Sequence, residues 1–354
     1  MAHRGTFGRS RRSLFRFLLR MIVLTVFALG AALGGFRLSA FWREQVADQA
    51  LVPKGGRVVP TAAGDLFVQE AGPADGPVVM LVNGTAAWSE LWRPTIAALA
   101  DAGYRTIAVD LPPFGFSPRE ERAAYGTPDQ ALRLTELVQA MQLDNIVLVG
   151  HSIGAKPALV TAWRMQDWLR GLVLVDAPLD PPPEGRPPPP PAKPWIGMLL
   201  GTPLLGEAVV AATVTNPTLS RWLVEQVVAD PAAATAARLA TLQLPMVRRG
   251  TTESVTAWLR QALVDAPRTG LNDRQRYASL NVPVLLIWGA EDRITPVAQG
   301  RRLQGAFRDA DLTVLPGSGH LPQLEHTGPF NEALVAWLRA LPLRDATSRV
   351  SVGR

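Results

Sequence analysis

The chain has 354 residues, 47% of them apolar and 19% charged, which allows one large domain with an insertion, or two domains, and argues against wholesale disorder. The net charge of +6 does not mark a nucleic-acid binder, because Arg4, Arg9, Arg11, Arg12, Arg16 and Arg20 supply the whole excess ahead of the first acidic residue, leaving the remainder neutral. Cysteine is absent, which excludes disulfides, thiolate metal sites and a Cys nucleophile.

The basic end runs into an uncharged apolar stretch, Met21–Phe36. As a helix this stretch covers about 24 Å. Drawing in Leu14, Phe15, Phe17, Leu18 and Leu19, with Arg16 and Arg20 snorkelling to the headgroups, brings it to the ~30 Å of a bilayer core. Arginines ahead of the stretch place the N-terminus in the cytoplasm and the rest outside. The expectation is a single-pass anchor in a bacterial inner (cytoplasmic) membrane, with the lipid bilayer as partner. Ser10-Arg11-Arg12-Ser13-Leu14-Phe15 also resembles a twin-arginine export signal. Export with cleavage is therefore the alternative, for which Gly30-Ala31-Ala32 offers only a poor site. Residues 37–54 read as a polar, partly helical connector.

Leu66–Glu70 alternates with period two, as an antiparallel strand leading into a sheet. Val78–Val82, Thr106–Val109, Ile146–Val149, Leu172–Val175, Val284–Trp288 and Leu312–Leu315 are short apolar runs, the form of parallel strands buried on both faces. Helical spacing marks Trp92–Asp101, Pro128–Met141, Ala155–Trp163 and Phe330–Ala340. The alternation predicts an α/β fold: a mostly parallel sheet with helices on both faces. Asp180 to Pro194, containing PPPEGRPPPPPAKP, breaks it and reads as a stiff connector. Trp195 to about Asp273 is rich in Ala, Leu and Val without a convincing strand, with helices expected to start near Pro203, Pro217, Pro231 and Thr252. It forms a helical cap inserted after the sixth strand. The division expected is 1–36 for the basic end and anchor, 37–54 for the connector and 55–180 for the first part of the core. Residues 181–275 hold the proline-rich connector and cap, 276–342 the second part of the core, and 343–354 a frayed tail.

Gly150-His151-Ser152-Ile153-Gly154 lies between the run Ile146–Val149 and the helical Ala155–Trp163. This is G-x-S-x-G in the strand–turn–helix setting of a nucleophile elbow. The turn lifts the Ser152 hydroxyl to the carboxyl end of the sheet, and the helix after it aims free N–H groups at the same spot.

From Arg57 to Leu341 the sequence resembles the α/β-hydrolase family, whose triad runs Ser, acid, His. The resemblance implies His320, in Gly317-Ser318-Gly319-His320 after the last strand, as base; of the other three histidines, His3 precedes the apolar stretch, His151 sits inside the elbow and His326 suits a surface or capping role. It implies Asp292 as acid, in the G-x-x-D-x-x-x-P loop Gly289–Pro296, with Glu291 solvated; Asp176, after the sixth strand where some relatives carry the acid, is the rival. The oxyanion donors implied are the N–H of Ile153 and one from Asn83-Gly84-Thr85-Ala86, Thr85 before Gly84, with Asn83 replacing the family's usual histidine. Asp110, in Asp110-Leu111-Pro112-Pro113-Phe114-Gly115, is read as holding a turn.

Relatives with Asp as nucleophile are set aside because position 152 is Ser. No H-E-x-x-H or other clustered ligand pattern and no G-x-G-x-x-G after the first parallel strand is present, so neither a metal nor another cofactor is expected. The function expected is hydrolysis of a small-molecule ester or similarly activated carbonyl compound. The alternatives are other serine-triad chemistry (C–C bond hydrolysis, acyl transfer, cofactor-free peroxidation) or an inactive membrane-anchored binding protein.

Overall fold

A computed structural model describes residues 7–47, 52–53, 55–119, 124–182, 194–202, 204–262 and 269–342. Its centre is an eight-stranded sheet: β1 (Gly56–Val59), β2 (Leu66–Ala71), β3 (Val78–Val82), β4 (Arg105–Val109), β5 (Ile146–His151), β6 (Leu169–Val175), β7 (Val284–Gly289) and β8 (Ala310–Leu315), ordered β1-β2-β4-β3-β5-β6-β7-β8. The hairpin β1–β2 is antiparallel and joins β4 antiparallel; every pairing from β4 through β3 to β8 is parallel. The chain has one long helix before the sheet, α1 (Phe7–Arg43), then α2 (Arg93–Asp101), α3 (Thr127–Ala140) and α4 (Ala155–Arg164) among the first strands.

The continuous apolar runs are explained by two cores, one on each face. On β5, Ile146 and Leu148 enter the core that α3 and α4 cover with Leu134, Leu137 and Leu159. Val147 and Val149 enter the opposite core, covered by Ile96 and Leu99 of α2 and by Phe330, Leu334 and Leu338. Successive strand residues point to opposite faces, so a strand clad on both sides must be apolar at every position. These crossovers leave the carboxyl ends of β3, β5, β6 and β7 side by side on one edge.

Between β6 and β7 the chain forms the helical cap: α5 (Pro194–Gly201), α6 (Leu205–Ala212), α7 (Ser220–Val227), α8 (Ala236–Gln243) and α9 (Thr251–Ala262). It returns through α10 (Arg274–Ala278), and α11 (Val297–Gln304), α12 (Pro322–Glu325) and α13 (Thr327–Ala340) complete the core. Residues 183–193 of the proline-rich connector, Pro203 and the tail from 343 lie outside the described residues. Residues 37–43, at the start of the partly helical connector, continue the N-terminal helix, which no Gly or Pro interrupts between Phe36 and Arg43. The strand Gly56–Val59 was missed because it is short and sits half exposed at the sheet edge, where hydrophobic patterning fades.

Candidate active site

The tip of β5 carries Ser152 at φ 50°, a left-handed conformation unusual for a non-glycine residue. The flanking glycines make this turn possible by letting backbones touch. A Cβ on Gly150 would stand 2.7 Å from the Cα of Ala155, and one on Gly154 would stand 2.3 Å from the carbonyl oxygen of Asn83. The elbow is therefore wedged against the loop after β3, and the Ser152 side chain stays partly accessible.

His320 reaches Ser152 from the loop after β8, with Nε2 2.8 Å from Ser152 Oγ. On the far side its Nδ1 lies 2.7 Å from Asp292 Oδ2, and both side chains are almost wholly out of solvent. Asp292 sits just past β7, its Oδ1 accepting from the N–H groups of Ile294 (2.7 Å) and Thr295 (3.0 Å), its Oδ2 from the Thr295 hydroxyl at 2.6 Å. Burial pushes the Asp292 carboxyl up, but the hydrogen bond and charge of His320 and the bonds from Thr295 outweigh it and hold it below its ordinary value.

Asp176 lies in the same buried cluster, a carboxylate oxygen of it within 4.8 Å of one of Asp292 and of a ring nitrogen of His320. It has φ 43°, is fully buried, and accepts from the Gly289 N–H at 2.9 Å through Oδ1. Its other oxygen has no partner among the described residues. Burial first, then the charge of Asp292, raises its pKa well above the ordinary carboxyl value. Two carboxyl groups this close cannot both hold a charge cheaply, and His320 leaves the charge on Asp292.

Two positioning groups, His151 and Glu325, carry no clear sequence signal. His151, buried beneath His320, donates Nε2–H to the His320 carbonyl at 2.8 Å, and burial, then the charge of His320, push its pKa down to about 3, so it stays neutral. Glu325 gathers the loop: one carboxylate accepts from Gly319 N–H (3.0 Å), Leu321 N–H (3.1 Å) and the cap's Ala229 N–H (2.6 Å). The His320 N–H itself donates to the cap's Val227 carbonyl at 2.7 Å. A third positioning group, Thr295, has a visible cue, since an Asp followed by backbone donors two and three residues on is an Asx-type turn. Asp110 holds its loop as expected, accepting from Ser89 (2.6 Å) and Phe116 (2.8 Å) N–H groups, with burial raising it to about 7. His326 stands at the start of α13, but its side chain makes no capping bond. Glu291 is exposed.

A cleft opens beside Ser152, lined by Gly84, Ile153 and Gly154 at its floor and by Leu111, Phe114 and Trp258 among its walls. The Phe114 and Trp258 rings meet edge to face at 4.9 Å. Gly84 lies so close that a Cβ there would stand 2.9 Å from the Cβ of Ser152. Thr85 is exposed and does not line the cleft.

A profile of the alpha/beta hydrolase fold matches residues 77–327. The chain belongs to the α/β-hydrolase family. A Variovorax paradoxus protein assigned as a carbamate hydrolase is 28% identical over 276 residues, 77% of this chain and 96% of its own. A 2-hydroxy-6-oxononadienedioate/2-hydroxy-6-oxononatrienedioate hydrolase of Burkholderia vietnamiensis is 27% identical over 259 residues, 72% of this chain and 83% of its own. Among solved structures, a bacterial membrane phospholipase A superposes with TM-score 0.64 at 21% identity, over 92% of this chain and 98% of its own. Within this family the chain is an α/β-fold hydrolase, with one N-terminal helix long and apolar enough to cross a membrane.

Proposed function

We propose that this hydrolase is a membrane-anchored serine esterase, with Ser152 as nucleophile, His320 as base and Asp292 as the acid that orients it. The observation that carries the proposal is the unbroken line Asp292–His320–Ser152, at 2.7 and 2.8 Å, ending at an apolar cleft. In this reading His320 Nε2 takes the Ser152 proton as Oγ attacks the carbonyl carbon. The developing oxyanion takes hydrogen bonds from the Ile153 N–H and from Thr85 or Gly84. His320 then returns the proton to the leaving alcohol, and water repeats the sequence on the acyl-enzyme.

The names of the relatives favour a second reading, C–C bond hydrolysis, which uses the same triad. A dienedioate carries two carboxylates, and the described lining of this cleft contains no Lys or Arg to receive them. That favours an ester with an apolar group. Anchoring is favoured over signal cleavage by the arginines ahead of the apolar helix and by the lack of a clean small-x-small site in Gly30-Ala31-Ala32.

The test is fluorophosphonate labelling and p-nitrophenyl ester turnover. Ser152→Ala should abolish labelling and lower kcat by about 10⁶. Equal labelling of the variant and the wild type would refute the assignment, and turnover of a dienedioate but no ester would move it to the second reading.

A further inference from the structure

The anchor helix and the cap are bonded to each other, and the bonds fix which part of the cap meets the membrane. Along α1 and the residue just past its end, Leu33 and Arg37 are part-buried, while Ala40 and Glu44 are buried at 0% and 4% exposure. The spacing of four, three and four residues is one face of a helix, and it packs on the cap. Arg37 bonds Glu207, in the first turn of α6, at 3.0 Å, and also Glu253 of α9. Seven residues further, Glu44 accepts from the Thr252 N–H at 2.9 Å and hydroxyl at 2.5 Å, and Thr252 shares a 2.9 Å bond with Thr215, just beyond α6. The start of α6 is thus level with Arg37 and its end level with Glu44, so α6 runs alongside α1 in the same direction. Leu204 and Leu205, ahead of Glu207, stand level with the last turn of the apolar stretch.

A bilayer core takes about 20 helical residues. Counted from Arg16 or Arg20, the span ends between Phe36 and Ala40, which places the start of α6 at the membrane boundary. There α5 turns away from α6 at 100° and so lies across the axis of α1, along the membrane plane. Its inner residues Ile196 and Leu200 join Val210, Val255 and Leu259 in the cap's apolar core. On the opposite side Trp195 and Met198 are 59% and 73% exposed, and Leu204 72%. No charged residue occurs from Trp195 to Leu205. The same apolar core includes Phe114, whose ring forms part of the cleft wall.

We infer that this corner of the cap, Trp195–Thr202 with Leu204 and Leu205, is seated in the outer leaflet of the bilayer that holds α1, and that the cleft draws its ester from that leaflet. The inference rests on the anchor and esterase readings above. It makes the substrate a lipid-soluble ester, delivered through the cap and not from water.

The chain has no native cysteine, so single introduced cysteines take a nitroxide label cleanly. Full-length protein carrying Met198→Cys, Leu204→Cys, Leu24→Cys or Leu132→Cys is placed in phosphatidylcholine–phosphatidylglycerol vesicles, and relaxation by oxygen and by a nickel chelate is compared. Labels at 198 and 204 should favour oxygen, as the α1 label at 24 does, while 132 on α3 favours nickel. Labels at 198 and 204 in water with 24 in lipid would overturn the inference and leave the anchor standing; 24 in water would sink the anchor and the inference with it. Labels hidden from both agents and broadened by a neighbouring spin would assign the corner to a second copy of the chain, which also overturns it. For delivery, combined Met198→Glu and Leu204→Glu should cut turnover of a long-chain ester in vesicles at least about ten-fold, since carboxylates resist entry into hydrocarbon, and leave p-nitrophenyl butyrate within about two-fold. Equal effects on the two esters would refute delivery from the leaflet. A wild-type enzyme that cleaved neither ester would refute the esterase reading instead, and delivery with it.

Discussion

Replacing Asp292 by Asn changes one atom and, through it, the proton on His320. The Asn oxygen can keep the Ile294 and Thr295 N–H bonds now made by Oδ1 at 2.7 and 3.0 Å. Its NH₂ then stands where Oδ2 accepts from His320 at 2.7 Å. A donor there forces His320 to accept at Nδ1 and carry its proton on Nε2, the nitrogen 2.8 Å from Ser152 Oγ. In that tautomer His320 cannot take the serine proton, and the carboxylate that would stabilise the imidazolium is gone. The expected loss in kcat is about 10⁴, or roughly 5.4 kcal/mol of barrier, with KM little changed. Asp176→Asn should cost far less, because Asp176 faces the Gly289 N–H and does not bond the imidazole. The assay is p-nitrophenyl ester kinetics on both variants, with fluorophosphonate labelling rates as a second readout. A loss of less than about ten-fold for Asp292→Asn, or a larger loss for Asp176→Asn, would refute the assignment of the acid.

The buried Asp176 carboxyl has a folded pKa raised well above its ordinary value, so above the unfolded value of about 3.9 the native state holds a proton that the unfolded chain has released, and stability falls as pH rises, by at most about 1.4 kcal/mol per unit. Asp176→Asn removes this proton; urea unfolding at pH 5 and pH 8 should show the variant gaining on wild type as pH rises, and a constant difference would contradict a protonated Asp176. Glu325→Gln keeps one acceptor but loses the charge that holds three N–H groups; it should lower kcat more than it raises KM, by about ten-fold, and unchanged kinetics would show that the His320 loop needs no such tether. Catalytic efficiency should rise about three- to four-fold per methylene of acyl chain until the cleft is full. Trp258→Ala should move that optimum to longer chains, and an unmoved optimum would place the selective wall elsewhere.

Local chemistry made much of this protein legible from its sequence. Uninterrupted apolar runs such as Val78–Val82 and Ile146–Val149 read as strands clad on both faces, because they are rich in β-branched residues and too short for a buried helix. The elbow around Ser152 and the loops of Asp292 and His320 could be named because each carries its own pattern within nine residues or fewer. The arginines and the apolar stretch after them marked out, by charge and length alone, a helix long and apolar enough to cross a membrane.

What the tertiary structure decided are relations between segments far apart in the chain. His151 beneath the His320 carbonyl, Glu325 joining Gly319 to Ala229, and Asp176 buried beside Asp292 with its pKa raised depend on which loops the sheet order brings to one edge. No local pattern encodes them, since a buried carboxyl and a solvated one have the same letter in the sequence. The same holds for the docking of α1 on the cap. Leu33, Arg37, Ala40 and Glu44 form a stripe only once the helix is known to continue past the apolar stretch, and their partners Glu207 and Thr252 lie some 170 and 208 residues away. Spacing along the chain fixes what each element is; burial and the partner across the gap, which follow from packing, fix what its side chains do.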